Sequence, residues 1–338
     1  MMQRYAVVLA GGVGKRLWPF SRTHLPKQFI PFHDTTLLEQ TVSRVRRCVA
    51  QEHCFVMTNS AYRTEVMRHV GSMIADCICE TRSENTAPAM IRAWYTLSNR
   101  VRDEGVVLYV PSDHYITDFH AYTVAINAAY ALAEKLQCIV LIGIPQTYIA
   151  TTFGCVRLGD VILEGDDGAS AYYVDSFHEK PTREIAEVYF TRPDIVWNAG
   201  IVCAPLSVLH TIFETYLPDM VQGIAAEKPV IPCSFDCAVL ERLPPRSCAL
   251  IKGNFVWSDV GTIPTFIAAS PGRSDAVVAV RGATRNTVHA VKKVVLVGVS
   301  DLYVIETDDM FVVMRSHDVE RIDLIMAELS NRGLEECM

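Results

Sequence analysis

Three glycines and three cations crowd one short stretch of this 338-residue chain. Gly11, Gly12 and Gly14 follow the apolar run Tyr5–Leu9, and Lys15, Arg16 and Lys27 come close behind. Glycine carries no Cβ, so backbone N–H groups at such a turn can approach a phosphate chain closely. The added cations suit a triphosphate. Two better-known glycine loops do not fit. The dinucleotide fingerprint G-x-G-x-x-G, counted from Gly12 and Gly14, needs a third glycine where Leu17 stands. The P-loop G-x-x-x-x-G-K-[ST] needs glycine at Leu9 and Ser or Thr at Arg16. Pro19, Pro26 and Pro31 stop a helix from running out of the glycines, because proline removes a donor and clashes with the preceding turn. The loop is therefore expected to be long and irregular, from Ala10 to Gln28.

Two carboxylates add a second element of chemistry. Asp113, in Pro111-Ser112-Asp113-His114, directly follows the apolar segment Val106–Val110. Asp259, in Phe255-Val256-Trp257-Ser258-Asp259-Val260-Gly261, also follows a short apolar segment. Two hard oxygen ligands converging on a triphosphate are what Mg²⁺ needs, with water and phosphate filling its other positions. Alone, either aspartate reads as a turn residue. Glu179-Lys180 reads by itself as a solvated ion pair, and Asn85 or Thr86 as the cap of a following helix. Asn198 can both donate to and accept from hydroxyl groups.

These residues need a scaffold, and the apolar pattern supplies one. Strands are expected at Tyr5–Leu9, Cys54–Thr58, Val106–Val110 and Ile139–Ile142. Helical patterns lie between them at Thr36–Val49, Ala61–Ile74, Thr86–Arg102 and Tyr122–Leu136; Thr36 and Glu39 have capping-box spacing. Such alternation predicts an α/β fold, a mostly parallel sheet with helices on both faces, whose ligands sit at the carboxyl ends of strands. The composition changes after Pro271-Gly272. From Asp275 to Arg315 the chain is β-rich, with strands expected at Val294–Val299, Leu302–Glu306 and Met310–Met314. A last helix over Asp318–Asn331 has one apolar face. Two domains follow from this reading, 1–270 and 271–338.

Composition limits the partners. The net charge of −7 leaves no basic field for nucleic acid or lipid. No apolar run is long enough to span a membrane, and Met1–Ala10 runs straight into the loop without signal-peptide character, so a cytoplasmic protein is expected. The eleven cysteines lack zinc-ribbon spacing and are expected to be reduced, small core residues.

The run L-A-G-G-x-G-x-R-L-x-P followed by P-K resembles the signature of sugar-1-phosphate nucleotidyltransferases. Its variant R-L-W-P-x-S-R…P-K-Q-F resembles the mannose-1-phosphate guanylyltransferase branch. The resemblance implies a Rossmann-like, glycosyltransferase-A-like domain and a small C-terminal β-helix-like module with a helix, often used for homodimerisation. It also implies GMP transfer from GTP to mannose 1-phosphate. On that basis Ala10, Gly11, Gly12, Gly14, Arg16 and Lys27 hold the nucleotide phosphates, and Asp113 and Asp259 hold Mg²⁺. Glu84-Asn85-Thr86-Ala87-Pro88-Ala89 resembles the N-T-A-P-A element against the purine base, giving Asn85 and Ala87 base contacts. Glu179-Lys180-Pro181 resembles E-K-P, with the glutamate on sugar hydroxyls and Lys180 on the sugar phosphate. Trp197-Asn198-Ala199-Gly200 resembles the W-N-S/A-G of the sugar pocket, and Ser234-Phe235-Asp236…Glu241 gives Asp236 a supporting role. Two segments depart from the pattern. Thr152-Phe153-Gly154-Cys155-Val156 keeps one glycine of a T-G-Y-G-Y-I-like run and loses its tyrosines, and Thr81-Arg82-Ser83-Glu84 replaces P-x-x-R. No cupin-like isomerase half is expected within this sequence. Alternatives are a thymidylyl- or uridylyltransferase, another hexose 1-phosphate with GTP retained, and a non-catalytic sensor of sugar nucleotides.

Overall fold

Residues 2–101, 104–165, 169–270 and 277–338 are described by a computed structural model. Contacts divide the chain into two units: 1–11, 38–112 and 116–257 form the first, and 12–37, 113–115 and 258–338 the second.

A nine-stranded mixed sheet organises the first unit. Its strands are β1 (Arg4–Ala10), β2 (Cys54–Asn59), β3 (Asp76–Glu80), β4 (Val106–Pro111), β5 (Ile139–Pro145), β6 (Cys155–Leu163), β7 (Ala171–His178), β8 (Ile195–Pro205) and β9 (Cys248–Lys252). Their spatial order is β3-β2-β1-β4-β8-β5-β9-β7-β6. The first four are mutually parallel, with Ala6 opposite Cys54 on one side and Leu108 on the other. β8 runs antiparallel to β4, β5 and β6, so the sheet is mixed beyond β4. Residues of both parities are buried along β1, from Ala6 to Val8, which is the mark of a strand covered on both faces.

On one face, Tyr5, Val7, Phe55, Met57, Val107 and Tyr109 pack with α3 (Thr86–Val101) and α6 (Leu206–Tyr216) through Ala87, Ile91, Trp94, Leu209 and Phe213. α4 (Phe119–Leu136) lies against β5, β8 and β9. There the Tyr130 hydroxyl donates to the Tyr5 carbonyl at 2.6 Å.

The second unit has its own apolar centre. Leu17, Trp18, Phe20, Ile30 and Phe32 of the glycine-loop segment pack with Val260, Ile263, Phe266, Ile305, Met314, Val319 and Ile322. Phe20 stacks on Phe266 with ring centres 4.4 Å apart. Trp18 Nε1 donates to the Cys337 carbonyl at 2.7 Å, tying the loop to the last residues of the sequence. The C-terminal strands are β10 (Val277–Val280), β11 (Thr287–His289), β12 (Val294–Val297), β13 (Leu302–Glu306) and β14 (Phe311–Arg315). β10 pairs in parallel with β12, β11 in parallel with β13, and β13 antiparallel with β14. They form one two-stranded parallel sheet and one three-stranded mixed sheet.

Several expected boundaries move. The helix expected over Thr36–Val49 is α1 (Leu37–Val45), and Thr36 pairs with Pro31 in a two-stranded ribbon. The helix expected over Ala61–Ile74 is reduced to α2 (Arg63–Val70) between two 3₁₀ turns, the second beginning at Gly71. The last helix opens as a 3₁₀ turn over Ser316–Arg321 before becoming regular at Ile322–Asn331. Strands β3, β6, β7, β8, β9, β10 and β11 have no counterpart among the expected strands. Arg102, the Pro271-Gly272 break and Asp275 lie outside the described residues. All eleven cysteines are free thiols; Cys54, Cys77, Cys155, Cys203 and Cys248 are buried, while Cys237 is exposed.

Candidate active site

In the second unit, the glycine loop folds as two 3₁₀ turns, Lys15–Leu17 and Lys27–Phe29, separated by irregular chain. Gly14 sits just ahead of the first turn with φ 74°, a left-handed conformation that a side chain would strain. It also lies under the lysine: a Cβ at Gly14 would fall 2.4 Å from Lys27 Cβ. The glycine lets Lys27 cross the loop, and Ser21 fixes the turn by donating to the Gly14 carbonyl at 2.7 Å.

Lys27 is buried, and its Nζ stands 2.7 Å from Asp113 Oδ2 while donating to the Asp259 carbonyl. Asp113 and Asp259 thus meet at one ammonium, although 146 positions separate them in sequence (259 − 113). Burial works to raise Asp113, but the Lys27 charge and hydrogen bond outweigh it and hold the carboxyl below its usual range. Burial raises Asp259 above its ordinary value despite Lys27, and the charge on Asp113 adds to the rise. Gly261 N–H donates to Asp259 Oδ1 at 3.1 Å, and Val260 between them holds φ 45°. A β-branched residue in that region is strained and persists only where its surroundings fix it. Arg16 is exposed and favours the charged form of Asp259.

The donor set suits a hard divalent cation. Among the described residues no group of three or more His, Cys, Asp or Glu clusters as a metal site. Mg²⁺ bound through two carboxylates, water and phosphate oxygens needs no third protein ligand.

The first unit brings the remaining predicted residues into a second polar centre. Glu179 and Lys180 follow β7, and Lys180 (φ 44°) pairs with Glu179 Oε1 at 2.9 Å. A Cβ at Gly154 would stand 2.8 Å from Glu179 Oε2, so the glycine makes room for that carboxylate. Glu241 Oε1 accepts from the Glu179 N–H at 2.8 Å. Asn198 Nδ2 donates to Asp236 Oδ1 at 2.8 Å, while Asn198 Oδ1 accepts from Gly200 N–H at 3.1 Å. Gly200 holds φ 65° and faces Pro111. Burial pushes Asp236 up to about 6, with the negative Glu179 adding to the rise. Phe153, where the lost tyrosines would be expected, packs edge-on against Trp197 and Trp257, each with ring centres 5.1 Å away.

The N-T-A-P-A segment divides in two. Asn85 is exposed with φ 75°, and its Oδ1 accepts from Thr86 N–H at 2.8 Å. Ala87 is fully enclosed in the apolar core, and its N–H donates to the Cys233 carbonyl at 3.1 Å. Its methyl is core packing rather than a surface. Glu84 pairs with Arg92 at 2.7 Å. The sequence reading missed Glu80, a buried carboxylate at the end of β3. No spacing in the sequence marks it; the fold encloses it, with Oε2 lacking a hydrogen-bond partner among the described residues.

The Nucleotidyl transferase family profile matches residues 5–276. The chain is 30% identical over 355 residues to "Mannose-1-phosphate guanylyltransferase 2" of Escherichia coli O157:H7, covering 96% of this chain and 73% of that protein. It is 29% identical to the mannose-1-phosphate guanylyltransferase of E. coli K12, covering 98% and 74% of the two chains. A Thermus thermophilus structure titled as a mannose-1-phosphate geranyltransferase superposes with TM-score 0.81 at 26% identity, over 97% of this chain and all of that one. A Helicobacter pylori structure titled as a mannose-6-phosphate isomerase shares the fold at TM-score 0.62 and 20% identity, over 76% of this chain and all of that one.

Two outcomes follow from the geometry. Gly14→Ala is expected to displace Lys27 and to weaken triphosphate affinity about 10- to 100-fold, the loss of one hydrogen bond to a charged group; titration calorimetry checks this, and unaltered affinity contradicts it. Asp236→Asn retains the acceptor for Asn198 and removes a charge that burial disfavours. An acid whose pKa is raised on folding costs stability above that pKa and nothing below its unfolded value. The variant's melting temperature should therefore exceed the parent's above pH 6 and converge with it toward pH 4.

Proposed function

The chain belongs to the nucleotidyl transferase family, and from that premise we propose that it transfers GMP from GTP to α-D-mannose 1-phosphate, giving GDP-mannose and pyrophosphate. The observation that carries this reading is the convergence of Asp113, Asp259 and Lys27 beside the glycine loop. In this reading Arg16, Lys27 and the backbone of Ala10, Gly11, Gly12 and Gly14 hold the β- and γ-phosphates. Asp113 and Asp259 are the residues that would hold Mg²⁺, which when bound neutralises phosphate charge. Lys180 meets the sugar phosphate, Glu179 and Asn198 meet sugar hydroxyls, and Asp236 orients Asn198.

The mannose 1-phosphate needs no protein base. A phosphate monoester has a second pKa near 6, so its dianion dominates at neutral pH. Its oxygen forms a new bond to the α-phosphorus of GTP while the bond from that phosphorus to the pyrophosphate oxygen breaks. Pyrophosphate carries the electron pair away. The protein's task is to position the groups and neutralise charge. Lys180 contributes through its left-handed backbone, which fixes the direction of its side chain. Without substrate it rests on Glu179, and a phosphate dianion would compete for it.

The same family reading assigns 1–270 to catalysis and 271–338 to a β-helix-like module that joins two copies of the chain. The parallel pairings β10–β12 and β11–β13 support it, since each repeats after 16 or 17 residues (294 − 277, 303 − 287). Val295, Val297, Phe311 and Val313 are 52–62% exposed on alternate positions of β12 and β14, an apolar face suited to a second copy.

Pyrophosphate release measured with each nucleoside triphosphate, Mg²⁺ and a panel of hexose 1-phosphates tests the reaction. GTP with mannose 1-phosphate should be the preferred pair; release only with UTP or dTTP would remove the guanylyl assignment, and no release with any pair would leave the sensor alternative. Asp113→Ala and Asp259→Ala should abolish turnover. Lys180→Met should lower kcat about 10²- to 10³-fold, the loss of one preorganised charge contact. For the dimer, Val297→Glu with Val313→Glu should halve the mass seen by light scattering, and a parent protein already monomeric contradicts that surface.

A further inference from the structure

The segment 234–242 reaches the second polar centre at two points. Asp236 accepts from Asn198 Nδ2 at 2.8 Å, and five positions on (241 − 236) Glu241 Oε1 accepts from the Glu179 N–H at 2.8 Å. Phe235, Val239 and Leu240 are buried and fasten the segment to the apolar core of the first unit. Ser234 caps its short helix, Phe235–Ala238, by accepting from the Cys237 N–H at 3.2 Å. Arg242 turns to Tyr216: its Nη1 donates to the Tyr216 and Ala238 carbonyls at 3.3 Å, and its guanidinium lies 5.2 Å from the Tyr216 ring. The Glu241 carboxylate is therefore not taken up by the cation next to it. Among the described residues its hydrogen-bond partner is the Glu179 N–H.

That bond falls on the residue before Lys180. Lys180 holds φ 44° without being glycine, and such a position persists only where its surroundings fix it. Three restraints act on it. Pro181, which is buried, limits the backbone of the residue it follows. The Lys180 ammonium rests on Glu179 Oε1 at 2.9 Å, and Glu241 holds the Glu179 backbone. A sugar phosphate that draws the ammonium away from Glu179 removes the second restraint. Glu241 then supplies the hold that reaches Lys180 from elsewhere in the chain, 62 positions away from the residue it binds.

We infer that Glu241 is a positioning residue for the transfer: by binding the Glu179 N–H it keeps Lys180 in the left-handed conformation from which its ammonium meets the attacking phosphate. This rests on the guanylyltransferase reading above. Glu241 serves as an acceptor, since its partner is a neutral amide, and an amide oxygen in its place accepts the same bond.

The test compares initial rates with GTP and mannose 1-phosphate for the parent, Glu241→Ala, Glu241→Gln, Lys180→Met, and Glu241→Ala combined with Lys180→Met. Glu241→Ala should lower kcat about 10- to 100-fold, the loss of one hydrogen bond to a charged acceptor, with KM for GTP unchanged. Glu241→Gln should stay within about fivefold of the parent, the difference between a charged and a neutral acceptor. The combined variant should be no slower than Lys180→Met, because a residue that acts through Lys180 has nothing left to act on. Glu241→Leu keeps the stem, removes the acceptor, and carries the comparison if Glu241→Ala does not fold. A folded Glu241→Ala protein as fast as the parent overturns the inference and leaves the reaction standing. So does a Gln variant as slow as the Ala variant, or a combined variant in which the two losses multiply. A parent that releases no pyrophosphate with any hexose 1-phosphate overturns the reaction, and this inference with it.

Discussion

One ammonium sets the terms for the second unit. Lys27 is buried where Asp113 and the Asp259 carbonyl come together, and its charge opposes the repulsion that Asp113 exerts on the Asp259 carboxylate. Holding a lysine there constrains everything around it. The position beneath its side chain has to be glycine, because any Cβ at Gly14 would overlap Lys27 Cβ. The turn at Asp259 requires Gly261, where a Cβ would fall 2.3 Å from Asp259 Oδ2, and it forces Val260 into a left-handed conformation. The apolar cluster of Leu17, Trp18, Phe20, Val260, Ile263 and Phe266 supplies the packing that keeps those strained positions fixed. The C-terminal residues share in this through the bond from Trp18 to the Cys337 carbonyl. A small β-rich module that looks peripheral in sequence is thereby part of the scaffold for the glycine loop.

The first unit solves a different problem with similar means. Glu179, Asp236 and Glu241 gather near Lys180, and the positions that matter are again held by unusual backbone: Lys180 at φ 44° and Gly200 at φ 65°. Asn198 uses both ends of its amide, one on Asp236 and one on the Gly200 N–H, so its orientation is determined before any ligand arrives. Preorganisation of this sort is what a phosphoryl transfer requires of a protein, since little covalent chemistry falls to the side chains.

Much of this could be read from the chain, and the misses have identifiable causes. β1, β2, β4 and β5 were legible because they are continuous apolar runs between helical periods, the pattern of a sheet covered on both faces, whereas β3 is five residues bounded by acids, Asp76 and Glu80. Strands β6, β7 and β8 were not, because antiparallel pairing beside the parallel core admits polar residues such as Arg157, Asp175 and Asn198, and the apolar run of β9 is too short to tell from any other buried segment. Gly14, Lys27, Asp113 and Asp259 could be named from residue type and spacing, but that they meet at one ammonium could not. Ala87 shows the converse. Its motif suggested a contact surface, whereas periodicity along α3 turns its methyl into the core. Glu80 escaped notice since no spacing rule distinguishes a buried carboxylate from an exposed one. Only its missing partner does.

That missing partner belongs to a wider pattern. Among the described residues three carboxylates stand at raised pKa, Glu80 at about 7, Asp236 at about 6, and Asp259 above its ordinary value. In each, burial is the leading cause, so each charge is held where solvent stabilises it least. A structural role alone would favour replacing such groups with neutral ones, since an apolar substitute of similar size often costs less than a poorly compensated buried charge. Under the proposed reaction Asp259 gains a divalent cation as its complement, while Asp236 already holds the Asn198 amide that meets the sugar. Binding then relieves an existing cost as well as adding contacts, and a ligand lacking the complementary group leaves that cost in place.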